Sequence, residues 1–331
     1  MHSDVPGISR IQRASHRPLA LLWAACALVA CAGARSHTAH TAHTAHTAGT
    51  TAPAASTAPV AGDATVTPQE LSAQADLAYD NKDYAGCARL LEQAAARSPG
   101  GGAANHLFNA AGCYALAGDK QHAFAALEAA LAHGFVSLRR AENEGDLASL
   151  HDDARWAAFL ATTRSRQEQY VKTLNAELYA LYEEDQKARA GGPDHIDWKV
   201  VAVQDQQRRK RVLEILAAGG TKVSDDYYHA SLIFQHGEEV ADFEQAHKLA
   251  LRAVELDPRN DKARWLAAAT KDRALMNQGK SQLYGTQFKK VDGTWILYPV
   301  QPEVTDAERA RWNVPPLWSA KRQAENLNHP H

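Results

Sequence analysis

Apolar residues fall along the chain in four successive patterns. Residues 19–30 form one unbroken apolar run, from Leu19 to Ala30. Residues 32–66 hold almost no large apolar side chains. From 67 to 165, larger residues (Leu71, Tyr79, Tyr84, Leu91, Tyr114, Leu127) recur at helical spacing among small ones (Cys87, Ala94, Ala111, Ala123, Ala130). From 168 to 326 the spacing stays helical at first. It predicts helices over 170–190 (Leu174, Leu178 and Leu181 on one face), 197–217, 225–236, one ending at Asp257-Pro258, and 261–278. The period then changes to two: Gln282 to Phe288 and Thr294 to Tyr298 flank Asp292-Gly293, a hairpin signal, so a β-hairpin is expected near 282–298. A last helix is expected to start at Asp306, its N-cap. The pattern predicts a mainly α fold: a helical-repeat domain followed by an α-helical domain with one small hairpin.

The repeat is visible in the residues. Asp83-Tyr84-Ala85-Gly86-Cys87-Ala88-Arg89-Leu90-Leu91-Glu92 is echoed 36 residues on by Asp119-Lys120-Gln121-His122-Ala123-Phe124-Ala125-Ala126-Leu127-Glu128. The Gly100-Gly101-Gly102 loop can absorb the excess over a 34-residue unit. This resembles a tetratricopeptide array of two helix pairs, with the segment from Gly145 to Phe159 similar to its degenerate cap. The resemblance implies either a scaffold for the second half of the chain or a groove for a peptide or protein partner. Fold alone does not choose between them.

Composition and charge alter the picture at the N-terminus. Arg10, Arg13 and Arg17 precede the apolar run, the layout of a signal peptide over residues 1–30. A dozen helical residues rise about 18 Å, too little to cross a hydrocarbon core of about 30 Å. The run ends in Leu28-Val29-Ala30-Cys31, which resembles a bacterial lipobox; the alternative is ordinary cleavage that leaves a free secreted protein. The resemblance implies cleavage before Cys31 and lipidation of its thiol, hence a membrane partner through the N-terminal lipid. Ala32 rather than Asp after that cysteine implies the outer membrane, with the body facing the periplasm. Residues 31–66 then read as a disordered tether rich in His, Thr, Ala and Pro. Its His37, His40, His43 and His46 could ligate a metal weakly, or be no more than a slipped triplet repeat. No cofactor is expected.

The net charge of the 331-residue chain is −2, which offers no basic field for nucleic acid. An envelope protein or peptide is the expected macromolecular partner. Cys87 and Cys113 lie on neighbouring helices of the repeat, where either a disulfide or two buried thiols would fit an exported domain.

Chemistry-bearing residues concentrate in the second half. The set Glu184-Asp185-Gln186 with Arg189, Tyr227-Tyr228-His229, Gln235-His236-Gly237, Lys271-Asp272-Arg273 and Gln282-Leu283-Tyr284-Gly285-Thr286-Gln287 resembles domain-of-unknown-function family 6624 over roughly 168–320. That likeness implies a domain and carries no activity. His236 is the best general acid/base candidate, with Asp185, Asp205 or Asp272 to orient it. Arg189 and Arg273 could bind an anion; Gln235, Gln282, Tyr284 and Gln287 could bind amide or hydroxyl groups. The competing reading is a buried polar network in which Asp272-Arg273, Gln282 and Gln287 pin the hairpin to the helices. The leading expectation is a non-catalytic interaction or assembly module; the alternative is a lipid-anchored hydrolase or transferase centred on His236.

Overall fold

Small residues at helical spacing let helices approach closely, and the first half of the chain uses them throughout. In the computed structural model, which describes residues 66–98, 100–190 and 196–329, this half opens with two helix pairs: α1 (Pro68–Asp80) with α2 (Tyr84–Arg97), and α3 (Gly101–Leu116) with α4 (Lys120–Ala132). Each start is locally encoded. Thr67 caps α1 through the Glu70 amide with Pro68 at the first turn, and Asp83 and Asp119 accept from the amides of Gly86 and His122. Cys87, Ala88, Leu91, Ala110, Ala111, Cys113, Ala123 and Ala130 fill the shared core. Cys87 and Cys113 are joined in a disulfide, their Cα atoms 6.1 Å apart. A short helix α5 (Leu138–Asn143), a 3-10 turn (Gly145–Leu150) and α6 (Ala154–Val171) close this core with Leu147, Leu150, Trp156 and Phe159. Phe135 stacks on Phe108 at 4.3 Å between ring centres.

The second half continues as α7 (Ala176–Ala188), α8 (Trp198–Ala217), α9 (Ser224–Gln235), α10 (Val240–Leu256) and α11 (Asp261–Asn277). Its core joins Leu178, Val212, Ile215, Ile233, Phe234 and Leu249, with a second cluster of Leu232, Ala250, Leu266 and Ala267. Strands β1 (Phe288–Val291) and β2 (Thr294–Leu297) pair antiparallel with Val291 opposite Thr294. Asp292 and Gly293 both have positive φ, as a two-residue hairpin turn of this twist requires. Helices α12 (Asp306–Arg311) and α13 (Leu317–Asn328) end the chain, and α13 returns to lie beside α1. The fold is mainly helical with one small hairpin.

Four expectations need correction. The stretch 170–190 is not one helix. It breaks after Val171 and restarts at Ala176, because the Asn175 side chain caps Leu178 while the Asn175 amide donates to Asp226. Residues 282–287 are not a strand: the hairpin begins at Phe288, and Gln282 makes only an isolated bridge to Val300. Thr305, not Asp306, caps α12, since its hydroxyl accepts from the Glu308 amide. Helix α13 has no counterpart among the helices expected from sequence. The signal peptide, Cys31 and the tether histidines His37, His40, His43 and His46 lie outside the described residues.

Candidate functional site

Helix α9 ends at Gln235, and His236 is its C-cap, so its ring leaves the helix axis toward α7. There Nδ1 lies 3.0 and 3.1 Å from the two carboxylate oxygens of Asp185. Asp185 also accepts from Arg189 Nη1 at 2.9 Å and Gln186 Nε2 at 2.9 Å. Arg189 reaches on to Asp205, which accepts from Arg208 Nη1 at 2.7 Å. The side chains of this chain of charges are at most 8% exposed. Burial works to raise the Asp185 pKa, but the facing His236 and Arg189 with the Gln186 bond outweigh it and hold the carboxyl below its ordinary range. An ionised Asp185 can only accept, so the imidazole proton sits on Nδ1. Each of the two carboxylates, Asp185 and Asp205, thus has a guanidinium against it, as buried charges require.

Asp272 forms the second centre. Its carboxylate accepts from the amides of Leu283 (2.7 Å), Tyr284 (3.1 Å) and Thr286 (3.1 Å) and from the Thr286 hydroxyl (2.9 Å). Gln282 bonds the Gln287 backbone in both directions and donates to the Tyr298 carbonyl at 2.7 Å. Gln287 accepts from Arg273 Nε and donates to the Ala269 carbonyl, while Arg273 donates to the Gln235 carbonyl at 2.9 Å. The Tyr284 carbonyl accepts from Arg309 at 3.0 Å. The loop from Gln282 to Gln287 is thus wound around one carboxylate, and Gly285, at φ +87°, permits the turn; a Cβ there would press on Leu317 at 3.3 Å. This is the buried polar network that the sequence offered as the competing reading. The Gln235 side chain is fully buried, and neither amide atom has a hydrogen-bond partner.

The structure therefore brings His236, Asp185 and Arg189 together, and separately Asp272, Arg273, Gln282 and Gln287. It does not open either group to solvent: His236 is 5% exposed and Asp272 is 0%. A general acid or base has to stand within hydrogen-bond reach of its substrate. Two open grooves mark the surface. One, of about 680 Å³, lies between α7 and α8, lined by Glu184, Lys187, Gln204, Gln207 and Arg211, with Arg208 at its floor. The other, of about 710 Å³, runs along α6. Neither is lined by His236, Asp185 or Asp272. Among the described residues no three His, Cys, Asp or Glu side chains are grouped to hold a metal ion, and no helix is long and apolar enough to cross a membrane.

Sequence reasoning missed an aromatic band. Tyr182 stacks on His229 at 4.2 Å and Tyr179 lies 5.5 Å from the same ring. Tyr182, Tyr228, Trp265 and Trp312 each pack against the cluster of Leu232 and Leu266, and Tyr284 lies 6.1 Å from Trp312. All six aromatic residues are half-buried. His229, against Tyr179, Tyr182 and Tyr228, is buried, and burial, with Lys262 nearby, lowers its pKa to about 4 despite Asp225. The i, i+3 pair Tyr179–Tyr182 was the available signal, but the other rings come from elements far apart in sequence.

The chain matches no family model and no curated protein.

Proposed function

We propose that this chain is a lipid-anchored protein of the cell envelope whose folded body binds a protein or peptide partner without chemistry of its own. The observation that supports this reading most is the closure of the His236–Asp185 pair: the residues best suited to acid–base catalysis bond one another in the interior and line neither surface groove. The disulfide between Cys87 and Cys113 fits an oxidising compartment, in line with an export signal and lipidation at Cys31. The band of Tyr179, Tyr182, Tyr228, Trp265, Trp312 and Tyr284 supplies what binding surfaces favour: large rigid rings with polar tips, half open to solvent. An outer-membrane position facing the periplasm, and the likeness of 168–320 to family 6624, belong to the same proposal. A second reading, an enzyme centred on His236, draws on the Asp185 pairing itself, which is the arrangement that orients an imidazole base.

Photo-crosslinking residues placed at Trp265 or Trp312 in the anchored protein test the proposal. A small set of discrete adducts is expected in cells. The Cys31→Ser chain should lose both membrane sedimentation and those adducts. A substrate turned over by the wild-type chain and by Tyr182→Ala, but not by a folded His236→Gln chain, would overturn it in favour of the enzyme.

A further inference from the structure

The last helix of the described residues, α13, lies on the first, α1. Trp318 Nε1 donates to Glu70 at 3.1 Å, Arg322 bonds Asp80 at 2.5 Å, and Asn326 donates to the same Asp80 oxygen at 3.0 Å. Trp318, Arg322 and Asn326 are spaced i, i+4, i+8, so they form one stripe of α13. It runs parallel to the stripe of α1 that carries Gln69, Glu70, Asp76 and Asp80. Just before α13, Asn313 accepts from Gln69 at 2.8 Å.

The chemistry of this contact differs from the rest of the fold. The opposite face of α13 is apolar: Ala320, Ala324 and Leu327 pack on Phe288, Trp295 and Leu297 of the hairpin. The apolar face of α1 belongs to the repeat core with Ala75 and Tyr79. No apolar cluster among the described residues includes both helices, and the hydrogen bonds and the ion pair between them come from Trp318, Arg322 and Asn326. Contacts of that kind resemble transient interfaces, where relative motion is the rule. On the α1 side the face is acidic, and burial, reinforced by Asp80 and opposed by Arg322, lifts the Asp76 carboxyl to about 7. Asp76 is thus ill at ease under its cover once ionised.

We infer that α13 is a releasable latch: its Trp318-Arg322-Asn326 stripe covers an acidic docking face on α1 that, when uncovered, accepts a partner helix presenting an aromatic N–H and a guanidinium four residues apart. The helix that occupies this face in the folded chain is itself the example of what fits. The inference rests on the binding reading for the existence of a partner, but the latch is tested with no partner present.

The test is hydrogen exchange on the full lipidated chain in detergent micelles, with Arg322→Ala and, independently, Asp80→Asn. Residues 68–80 should exchange at least about tenfold faster in both variants, while 120–132 and 288–297 keep wild-type protection. Unchanged protection of 68–80 overturns the latch, and so does a loss spread over all three segments, which would make α13 an integral part of the core. A peptide of residues 313–329 is then titrated by fluorescence anisotropy. It should bind the Arg322→Ala chain at least about tenfold more tightly than the wild-type chain, whose face is covered, and the peptide carrying Arg322→Ala should bind neither. Equal affinity for both chains, or binding to neither, removes the docking face. Failure of crosslinking at Trp265 or Trp312 would leave these results untouched.

Discussion

His236 Nδ1 stands 3.0 Å from Asp185 Oδ2 across 51 residues of sequence, with both side chains shut away from solvent. The pair ties the end of α9 to α7, and Arg189 and Asp205 extend it to α8. This chain of charges adds polar ties to three helices that already share an apolar core of Leu178, Val212, Ile215 and Ile233. It works only while every member keeps its partner, since an uncompensated buried charge is among the costliest defects a fold can carry.

Asp272 offers the sharpest stability test. Replacing it with alanine leaves three amides and one hydroxyl buried without an acceptor, so Asp272→Ala is expected to lose roughly 3–5 kcal/mol by urea denaturation. Thr286→Val removes one donor and should lose only about 1 kcal/mol. Equal losses in the two variants would show that the loop is not wound on that carboxylate.

The disulfide closes a loop with a sequence separation of 26. Loop entropy assigns it about 3.5 kcal/mol, so the reduced chain should unfold at distinctly lower denaturant than the oxidised one. Coincident curves before and after reduction would contradict this.

Two carboxyls, half-buried Asp76 and buried Asp146, give the protein an inverted pH response. Asp76 faces Asp80 and Arg322, and Asp146 faces Glu144 and the Tyr79 hydroxyl; burial first, then the neighbouring acid, raises each to about 7. A folded pKa above the unfolded one means that the folded chain holds extra protons between the two. Stability therefore falls as pH climbs through 7, and the contribution is gone above it. His106 and His229 act in the opposite sense, because burial lowers both to about 4 while in the unfolded chain they are already half-protonated at 6.5. From pH 8 to about 7 the two carboxyls outweigh the imidazoles, so the denaturation midpoint should rise on acidification. Below that the two sets offset one another and the midpoint should level off. Asp76→Asn together with Asp146→Asn should flatten the upper part of the curve; a wild-type midpoint that climbs toward pH 8 would refute the assignment.

How legible all this was in sequence depends on the range of the interaction. The small-residue repeat and the Asp292-Gly293 turn are encoded within a few residues, and they were readable; the caps at Thr67, Asp83 and Asp119 are just as local but were not read, and the one cap that was read, Asp306, lies one residue past Thr305. The loop from Gln282 to Gln287 alternates like a strand, yet Asp272, on the preceding helix, takes the amides a sheet would have used. The break before Ala176 is fixed by Asp226, 51 residues beyond Asn175. Asp185, Arg189 and His236 could be named as partners by type, but their burial follows from how α7, α8 and α9 pack, which no local pattern states. The six-residue aromatic band and the α13 latch were invisible for the same reason: each is assembled from elements far apart along the chain.

A binding role without chemistry depends above all on His236 being closed to any substrate, and diethyl pyrocarbonate footprinting of the folded chain reads that directly. His122 and His133, both exposed, should be modified readily while His236 stays unreacted until the protein unfolds. Modification of His236 at the rate of those two surface residues would contradict a structural role and favour an open catalytic centre.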